Sequence, residues 1–273
     1  MYKKFLNLAC GDYFISSDNW VNLDWAPKTK IVKQANLLGR IPFDDNSFDF
    51  VYCSHFLEHL SKNDISNFLN ECIRVLKVNG RVRFVLPDFE NIAREYLYNL
   101  DNNLLNFAEF NIVEMIDQCV RKKSGGELIE WYKNAFSDPN LKSYITTRTG
   151  YKFHQNSKTN HQQIKKLQNL TFKKMFFKIQ FKIINAFIKL FPKWYRDNHI
   201  LTTATGEKHL WVHDFNSIQK LLLKSGFREI VKLNAFTSLE LDFPVVPLDV
   251  DLNGVSIKGA ESMYIEAIKV RNN

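Results

Sequence analysis

A chain of 273 residues, 45% of them apolar, is long enough for one large α/β domain or for a domain carrying an insertion. Its four cysteines, Cys10, Cys53, Cys72 and Cys119, form no CxxC pair and no zinc-type spacing, which suits reduced thiols in a cytoplasmic protein. The net charge of +8 is uneven: residues 139–196 hold 13 Lys and Arg and no acid, leaving 24 Lys and Arg against 29 acids elsewhere. That distribution excludes a uniformly basic nucleic-acid binder.

At the N-terminus, Lys3 and Lys4 before FLNLAC mimic the start of a secretory leader. The apolar stretch is shorter than the roughly 7–15 residues of a leader core and Asn7 interrupts it, so no export is expected. No run reaches the ~18 consecutive apolar residues of a transmembrane helix. Short apolar runs then predict strands over 5–8, 21–24, 30–33, 48–54 and 81–86. Between the last two, residues 64–76 set Ile65, Phe68, Leu69, Cys72, Ile73 and Leu76 on one helical stripe, and Asn79 and Gly80 stop that helix. Residues 90 to 205 carry no strand signal. Helical periods run over 90–100, 104–120 and 163–190, and 142–162 is polar and loop-like. A helix over 214–225 ending at Gly226, a β-like run over 228–233 and a final strand over 262–269 close the chain. The economical architecture is an α/β, Rossmann-like parallel sheet with crossover helices, built from 1–96 and 206–273. A basic helical insertion, 97–205, interrupts it after the fifth strand.

The chemistry concentrates at the ends of the first strands. Phe5-Leu6-Asn7-Leu8-Ala9-Cys10-Gly11-Asp12 is an apolar strand running into small residues, which admit close backbone approach. In open α/β sheets ligands bind beyond the carboxyl ends of strands near the switch point, although such a sequence also makes a plain tight turn. Val21-Asn22-Leu23-Asp24 ends the next strand in an acid. Its carboxylate can accept both ribose hydroxyls of an adenosyl ligand, or stand as an ordinary surface Asp. Twelve residues separate Gly11 from Asp24, against ~20 in a dinucleotide fingerprint. That spacing argues against NAD and leaves little or no room for a first crossover helix.

Those segments are followed by IPFDDNSFDFVYCSHFLEHL (41–60) and LKVNGRVRFVLPDF (76–89), then by HLWVHDF (209–215), LLLKSGF (221–227) and ESMYIEAIK (261–269). In this order, and over all of residues 4–96, the chain resembles class I S-adenosylmethionine-dependent methyltransferases. The nearest likeness is to predicted methyltransferases of bacterial surface-polysaccharide clusters. A narrower likeness is to those of the capsule O-methyl phosphoramidate pathway, where a phosphorus-bound oxygen is methylated. The resemblance implies S-adenosyl-L-methionine as cofactor. Ala9, Cys10 and Gly11 would face its methionine part, Asp24 the ribose, Asn36 and Leu37 the adenine, and Ser54 and His55 the sulfonium, with Leu8 and Trp25 completing the site. Ala9 stands where the family usually has Gly, a tolerable change if φ there is negative. Asn36 stands where an Asp often meets the adenine amino group, and its amide oxygen can still accept that bond. Asn79 replaces the Pro of the family's turn.

Methyl transfer is an in-line displacement at a carbon already activated by a sulfonium, so positioning and desolvation carry much of the rate. A hydroxyl acceptor benefits from a base, usually His, whereas a phosphate oxygen arrives ionised. His55 and His59 share a face if the chain turns helical there. His55, next to the sulfonium, is the better catalytic candidate; His59 is the second, and it can also simply pack within the LEHL segment. His209, Trp211 and Asp214 are acceptor-side candidates, Asp214 being equally suited to N-cap the following helix. No His, Cys or Asp cluster has metal-ligand spacing, so no metal is expected.

Residues 163–190 interleave seven lysines with apolar side chains at helical spacing. Such a helix can lie on an anionic membrane as a peripheral contact. It can also pack as a lid or an oligomer face, the reading preferred here because an insertion must bury something. Together these features point to a cytoplasmic O-methyltransferase of a small acceptor, anionic (phosphorylated) or sugar, in capsule or surface-polysaccharide biosynthesis. The alternatives are a cofactor-binding scaffold without turnover and a membrane-associated protein. RNA methylation ranks behind both, since no RNA-binding motif is present and the remainder is acidic.

Overall fold

The computed structural model describes residues 2–153, 180, 183–184, 186–200, 203 and 206–270. Seven strands form one sheet in the order β3-β2-β1-β4-β5-β7-β6. They are β1 Phe5–Leu8, β2 Trp20–Asp24, β3 Val32–Gln34, β4 Phe48–Ser54, β5 Leu76–Pro87, β6 Phe227–Leu233 and β7 Ser262–Lys269. The first five pair in parallel, and β7 runs antiparallel to both β5 and β6. Strand order reverses between β1 and β4, so the switch point lies at their carboxyl ends, where Leu8 pairs with Leu23 on one side and Cys53 on the other. This is an α/β, Rossmann-like sheet.

The described helices are α1 Lys62–Val75, α2 Phe89–Asp101, α3 Leu105–Val120, α4 Leu128–Asn134, α5 Pro139–Thr149, α6 Lys193–His199 and α7 Phe215–Lys224, with a 3₁₀ turn at Leu57–His59 and a short helical turn at Val245–Leu248. The central strands are apolar on both sides because both faces are covered. Leu6, Leu8, Val51, Cys53, Val82 and Phe84 pack against Phe68, Leu69 and Cys72 of α1 and Ile218 and Leu222 of α7. On the other face Phe5, Phe50, Tyr52 and Tyr264 pack with Trp20, Phe243 and Leu248. Arg83, fully buried in β5, holds that second layer: its Nε donates to Asp249 Oδ2 (2.7 Å) and its Nη1 to Glu266 Oε1 (2.8 Å).

No crossover helix joins β1 to β2, as the short spacing implied. The loop is pinned instead by buried amides: Asn7 Nδ2 donates to the Tyr13 carbonyl (2.9 Å) and Asn22 Nδ2 to that of Ile15 (2.9 Å). Two expectations are corrected. Helix α1 ends at Val75, not at Asn79 and Gly80, because Leu76 is already extended as the first residue of β5; Asn79, at φ 63°, makes a left-handed step inside that strand. The segment read as a loop from 142 begins as helix α5. Asp138 Oδ1 accepts from the backbone N–H of Asn140 and Leu141, Pro139 opens the helix, and Gly150 closes it at φ 70°. Gly150 is required there: a Cβ would lie 2.1 Å from the Ile257 carbonyl oxygen.

Within the insertion, α3 to α5 enclose a small core of Phe110, Leu128, Ala135, Leu141 and Ile145. The helical run expected over 163–190 lies mostly outside the described residues. Of that run, residues 180, 183–184 and 186–190 are described and helical; Phe187, Leu190, Phe191 and Trp194 are exposed. Among the described residues no helix is long and apolar enough to cross a membrane.

Candidate active site

The end of β1 carries two left-handed residues in three: Ala9 at φ 52° and Gly11 at φ 53°. The negative φ that would make Ala tolerable in place of Gly is therefore absent, and Ala9 adopts the conformation that glycine takes without cost.

 Space above Gly11 is open, with no atom within 4 Å of where a Cβ would lie. Asp24, at the end of β2, orders this turn: its Oδ2 accepts from Gly11 N (2.9 Å) and its Oδ1 from Ala26 N (2.8 Å). Each oxygen keeps a second lone pair for a ligand. Leu8 and Cys10 are buried, and burial first, then Asp24, pushes the Cys10 thiol up to about 12, so it stays protonated. Trp25 is exposed, Leu37 is buried, and Asn36 is exposed with its Oδ1 accepting from Leu38 N (3.0 Å). The turns after β1, β2 and β3 thus lie along one edge of the sheet.

The end of β4 holds the titratable groups. Ser54 closes the strand, and His55 follows at φ 50°, pinned by its N–H donating to the Val85 carbonyl (2.8 Å). The chain makes only a 3₁₀ turn at Leu57–His59, so His55 and His59 do not share a helix face; both approach Glu58 instead. Glu58 is 1% exposed. His55 Nδ1 lies 3.2 Å from Glu58 Oε1, close but off-line, so neither carboxylate oxygen has a formed hydrogen bond. Burial alone would raise the Glu58 carboxyl, but the His55 contact and the charges of His55, His59 and His209 outweigh it and hold it at about 2. His55 Nε2 lies 3.0 Å from Ser262 Oγ, at the start of β7. Burial, then Lys258, lowers the His55 pKa, so its imidazole is neutral at pH 7.

A small cavity of about 30 Å³ opens beside His55, lined by Pro87, Phe89 and Ile92, by Glu114, Met115 and Gln118 of α3, and by His209, Val212 and Glu261. His209, the acceptor-side candidate, lines this cavity. Burial lowers its pKa to about 4. Trp211 and Asp214 do not line this cavity. Trp211 is half exposed beneath Lys62 Nζ, 4.3 Å from its ring centre, and Asp214 caps α7 through Oδ1 accepting from Ser217 N (2.8 Å).

Glu58, Glu114, Gln118, Glu261 and Ser262 went unnamed in the sequence reading. The signal for α3 was present: Asn111, Glu114 and Asp117 recur at three-residue spacing on its buried face, where apolar residues are the rule. Asn111 Nδ2 donates to Glu114 Oε2 (2.8 Å), and Arg148 Nη2 lies 3.0 Å from Glu114 Oε1, tying α3 to α5. Glu261, desolvated and beside Glu114, is pushed well above the carboxylate range, burial being the larger cause.

Part of the chain is similar to known proteins. Residues 17–84 match the family model described as a methyltransferase domain. An uncharacterized protein of Methanocaldococcus jannaschii is 31% identical over 110 residues, covering 36% of this chain and 47% of that one. The chain thus spans about half the length of the curated relative it matches. Among solved structures, an S-adenosylmethionine-dependent methyltransferase of Archaeoglobus fulgidus aligns over 98% of this chain and 86% of its own, at 12% identity and a TM-score of 0.38. One from Mesorhizobium loti aligns over 33% and 50%, at 18% identity and a TM-score of 0.28.

Residues 17–84 are thus similar to a methyltransferase domain, and the cofactor that this similarity implies is S-adenosylmethionine. The residues present fit that group. Gly11 leaves open space at the end of β1, the Asp24 carboxylate stands next to it with free lone pairs, and the thiol of Cys10 carries no charge to repel or attack a ligand.

Proposed function

We propose that the chain is an S-adenosylmethionine-dependent O-methyltransferase that uses His55 as base toward a hydroxyl of a small polar acceptor in bacterial surface-polysaccharide assembly. The observation that carries this reading is the line Glu58–His55–Ser262 at the carboxyl end of β4, beside an enclosed cavity. A carboxylate only accepts, so Nδ1 of His55 keeps its proton toward Glu58 and Nε2 presents its lone pair. That nitrogen takes the acceptor's proton, directly or by way of the Ser262 hydroxyl. The bound cofactor supplies a methyl group on a sulfonium, already activated for displacement. Asp24 and the turn around Gly11 hold it, and the insertion shields the acceptor from water as a lid or partner face.

Among the described residues, none that lines the cavity is Lys or Arg, which favours a neutral hydroxyl over the phosphorylated acceptor that the basic insertion suggests. Arg148, within that basic segment, is engaged by Glu114 and Asn91. The test is calorimetry with S-adenosylmethionine and its demethylated product, followed by turnover on paired phosphorylated and unphosphorylated sugars. Both adenosyl ligands should bind, and the unphosphorylated sugar should be methylated faster. No heat with either ligand would overturn the cofactor assignment, and faster transfer to the phosphorylated partner would overturn the acceptor assignment.

A further inference from the structure

Glu58 and His59 leave β4 on a single 3₁₀ turn, and His209 comes back to them from the far end of the insertion. Each of the three offers one ligand atom, and these atoms lie within 4.8 Å of one another. We propose that Glu58, His59 and His209 form a binding site for a divalent cation of the zinc class, with two imidazole nitrogens, one carboxylate oxygen and a water as its four ligands. The inference stands on these side chains alone and does not depend on methyl transfer.

Glu58 is buried, yet neither of its oxygens has a formed hydrogen bond. A buried carboxylate without donors is strongly unfavourable, and a bound cation removes that penalty. His59 is already oriented as a ligand. Its Nδ1 lies 2.9 Å from the Lys208 carbonyl oxygen, which only accepts, so the proton sits on Nδ1 and the lone pair on Nε2. Such a backbone-carbonyl contact is the usual outer support of a metal-bound imidazole. His209 Nε2 lies 3.0 Å from the Gln118 side-chain amide; with the amide oxygen turned to accept from Nε2–H, the Nδ1 lone pair is left for the cation, and the His209 backbone N–H donates to the Gln118 carbonyl (2.9 Å). Leu210 N donates to the Glu58 carbonyl (2.7 Å), so the main chains carrying the three ligands are joined directly.

Two His and one Glu with an open fourth position is a zinc-type ligand set, and imidazole nitrogens select against Mg²⁺ and Ca²⁺. Tetrahedral bonds of about 2.0–2.2 Å space the ligand atoms by about 3.4 Å, so the site closes by a modest side-chain contraction. The cavity of about 30 Å³ that borders His209 has room for one water as the fourth ligand. A cation here ties the segment that returns from the insertion to the turn after β4. It also shares Glu58 with His55, one oxygen toward the metal and the other toward Nδ1.

The experiment uses untagged full-length protein stripped with a chelator. Calorimetry with Zn²⁺ and absorption titration with Co²⁺ are run on the wild type and on His59→Ala, His209→Ala, His209→Gln and His199→Ala. One equivalent of Zn²⁺ should bind, Co²⁺ should give the intense visible bands of a four-coordinate site, and Mg²⁺ should not compete. His59→Ala and both His209 variants should weaken binding at least about 100-fold, while His199→Ala, altering an exposed histidine, should leave it unchanged. Circular dichroism and affinity for the demethylated cofactor product, read on the same samples, separate lost ligation from lost folding; His59→Ala, at a half-buried position, is the milder variant. Absence of stoichiometric Zn²⁺ binding to the wild type, or unchanged affinity in folded His59→Ala and His209→Gln, overturns the site.

Discussion

Replacing His55 by Asn separates catalysis from folding at one residue. The wild-type residue sits at φ 50°, where Asn is favoured several-fold over most side chains, so the backbone becomes easier to hold. The imidazole that lies 3.0 Å from Ser262 Oγ and 3.2 Å from Glu58 Oε1 is lost. Losing a positioned base costs roughly 10²–10⁴ in turnover, about 2.7–5.4 kcal/mol of barrier. Relief of left-handed strain is worth up to about 1 kcal/mol. The expected outcome is a turnover number lowered by that factor, an unchanged Michaelis constant for S-adenosylmethionine and a melting temperature equal to or above that of the wild type. Turnover is followed by release of the demethylated cofactor and stability by chemical denaturation. Because the His55 pKa is lowered from 6.5, and because a base must be unprotonated, wild-type turnover should fall only as pH drops below about 6.5. His55→Asn should lack that limb. Turnover within tenfold of wild type on a true acceptor would refute the base assignment.

Three further outcomes follow from the same geometry. Ala9→Gly should raise stability by about 1 kcal/mol in denaturant melts, since Ala9 holds φ 52° and only glycine does so freely; a loss would show that the methyl group is needed for packing. Asp24→Ala should weaken binding of the demethylated cofactor product by about 2 kcal/mol in calorimetry, as it removes charged hydrogen bonds and releases Gly11 N. Arg83→Met should destabilise the fold by about 3–5 kcal/mol, because it leaves Asp249 buried without its cation and Glu266 with only Arg81 at 3.8 Å, a loss read from urea midpoints.

Much of the sheet was legible in the chain. The strands at Phe5–Leu8, Phe48–Ser54 and Ser262–Lys269 lie where continuous apolar runs placed them, because strands covered on both faces carry no alternation to blur the signal. β3 shifted to Val32–Gln34 because an edge strand of three residues, with only Val32 buried, leaves a weak pattern. Helix α5 was missed although Pro139 and Gly150 punctuate it, since only Leu141, Ile145 and Arg148 of its residues are buried and one of those is charged. The turn proposed to hold the cofactor was readable because Gly11 and Asp24 stand on contiguous motifs. Its backbone was not: nothing in the letters shows that Ala9 takes a positive φ. The meeting of Glu58, His59 and His209 was the least legible feature. It depends on a chain that leaves the sheet, builds α3 to α5 and returns, and no local spacing encodes that closure.

The acids of the acceptor cavity provide a last test, one that bears on what the cavity can bind. Glu261 lines it beside Glu114, and burial followed by that neighbouring carboxylate pushes the Glu261 carboxyl well above its usual range. Glu261 therefore holds its proton to higher pH than a free carboxyl, and in that form it can donate a hydrogen bond and Gln is close to its isostere. A carboxyl whose folded pKa is raised binds its proton more tightly in the folded state, so its contribution to stability is full below about 4.5 and declines as pH rises through the folded value. Gln carries no such penalty. The stability of Glu261→Gln relative to wild type should therefore rise steadily between pH 5 and pH 8, as measured by urea midpoints at each pH. Glu114→Gln is the contrast, because Glu114 faces Arg148 Nη2 at 3.0 Å and its charge is used. That variant should be less stable than wild type at pH 7. A flat difference between Glu261→Gln and wild type across this range would mean that Glu261 is ionised in the folded protein. The cavity would then present a second negative charge next to Glu114, a setting suited to a cationic acceptor rather than to a neutral hydroxyl.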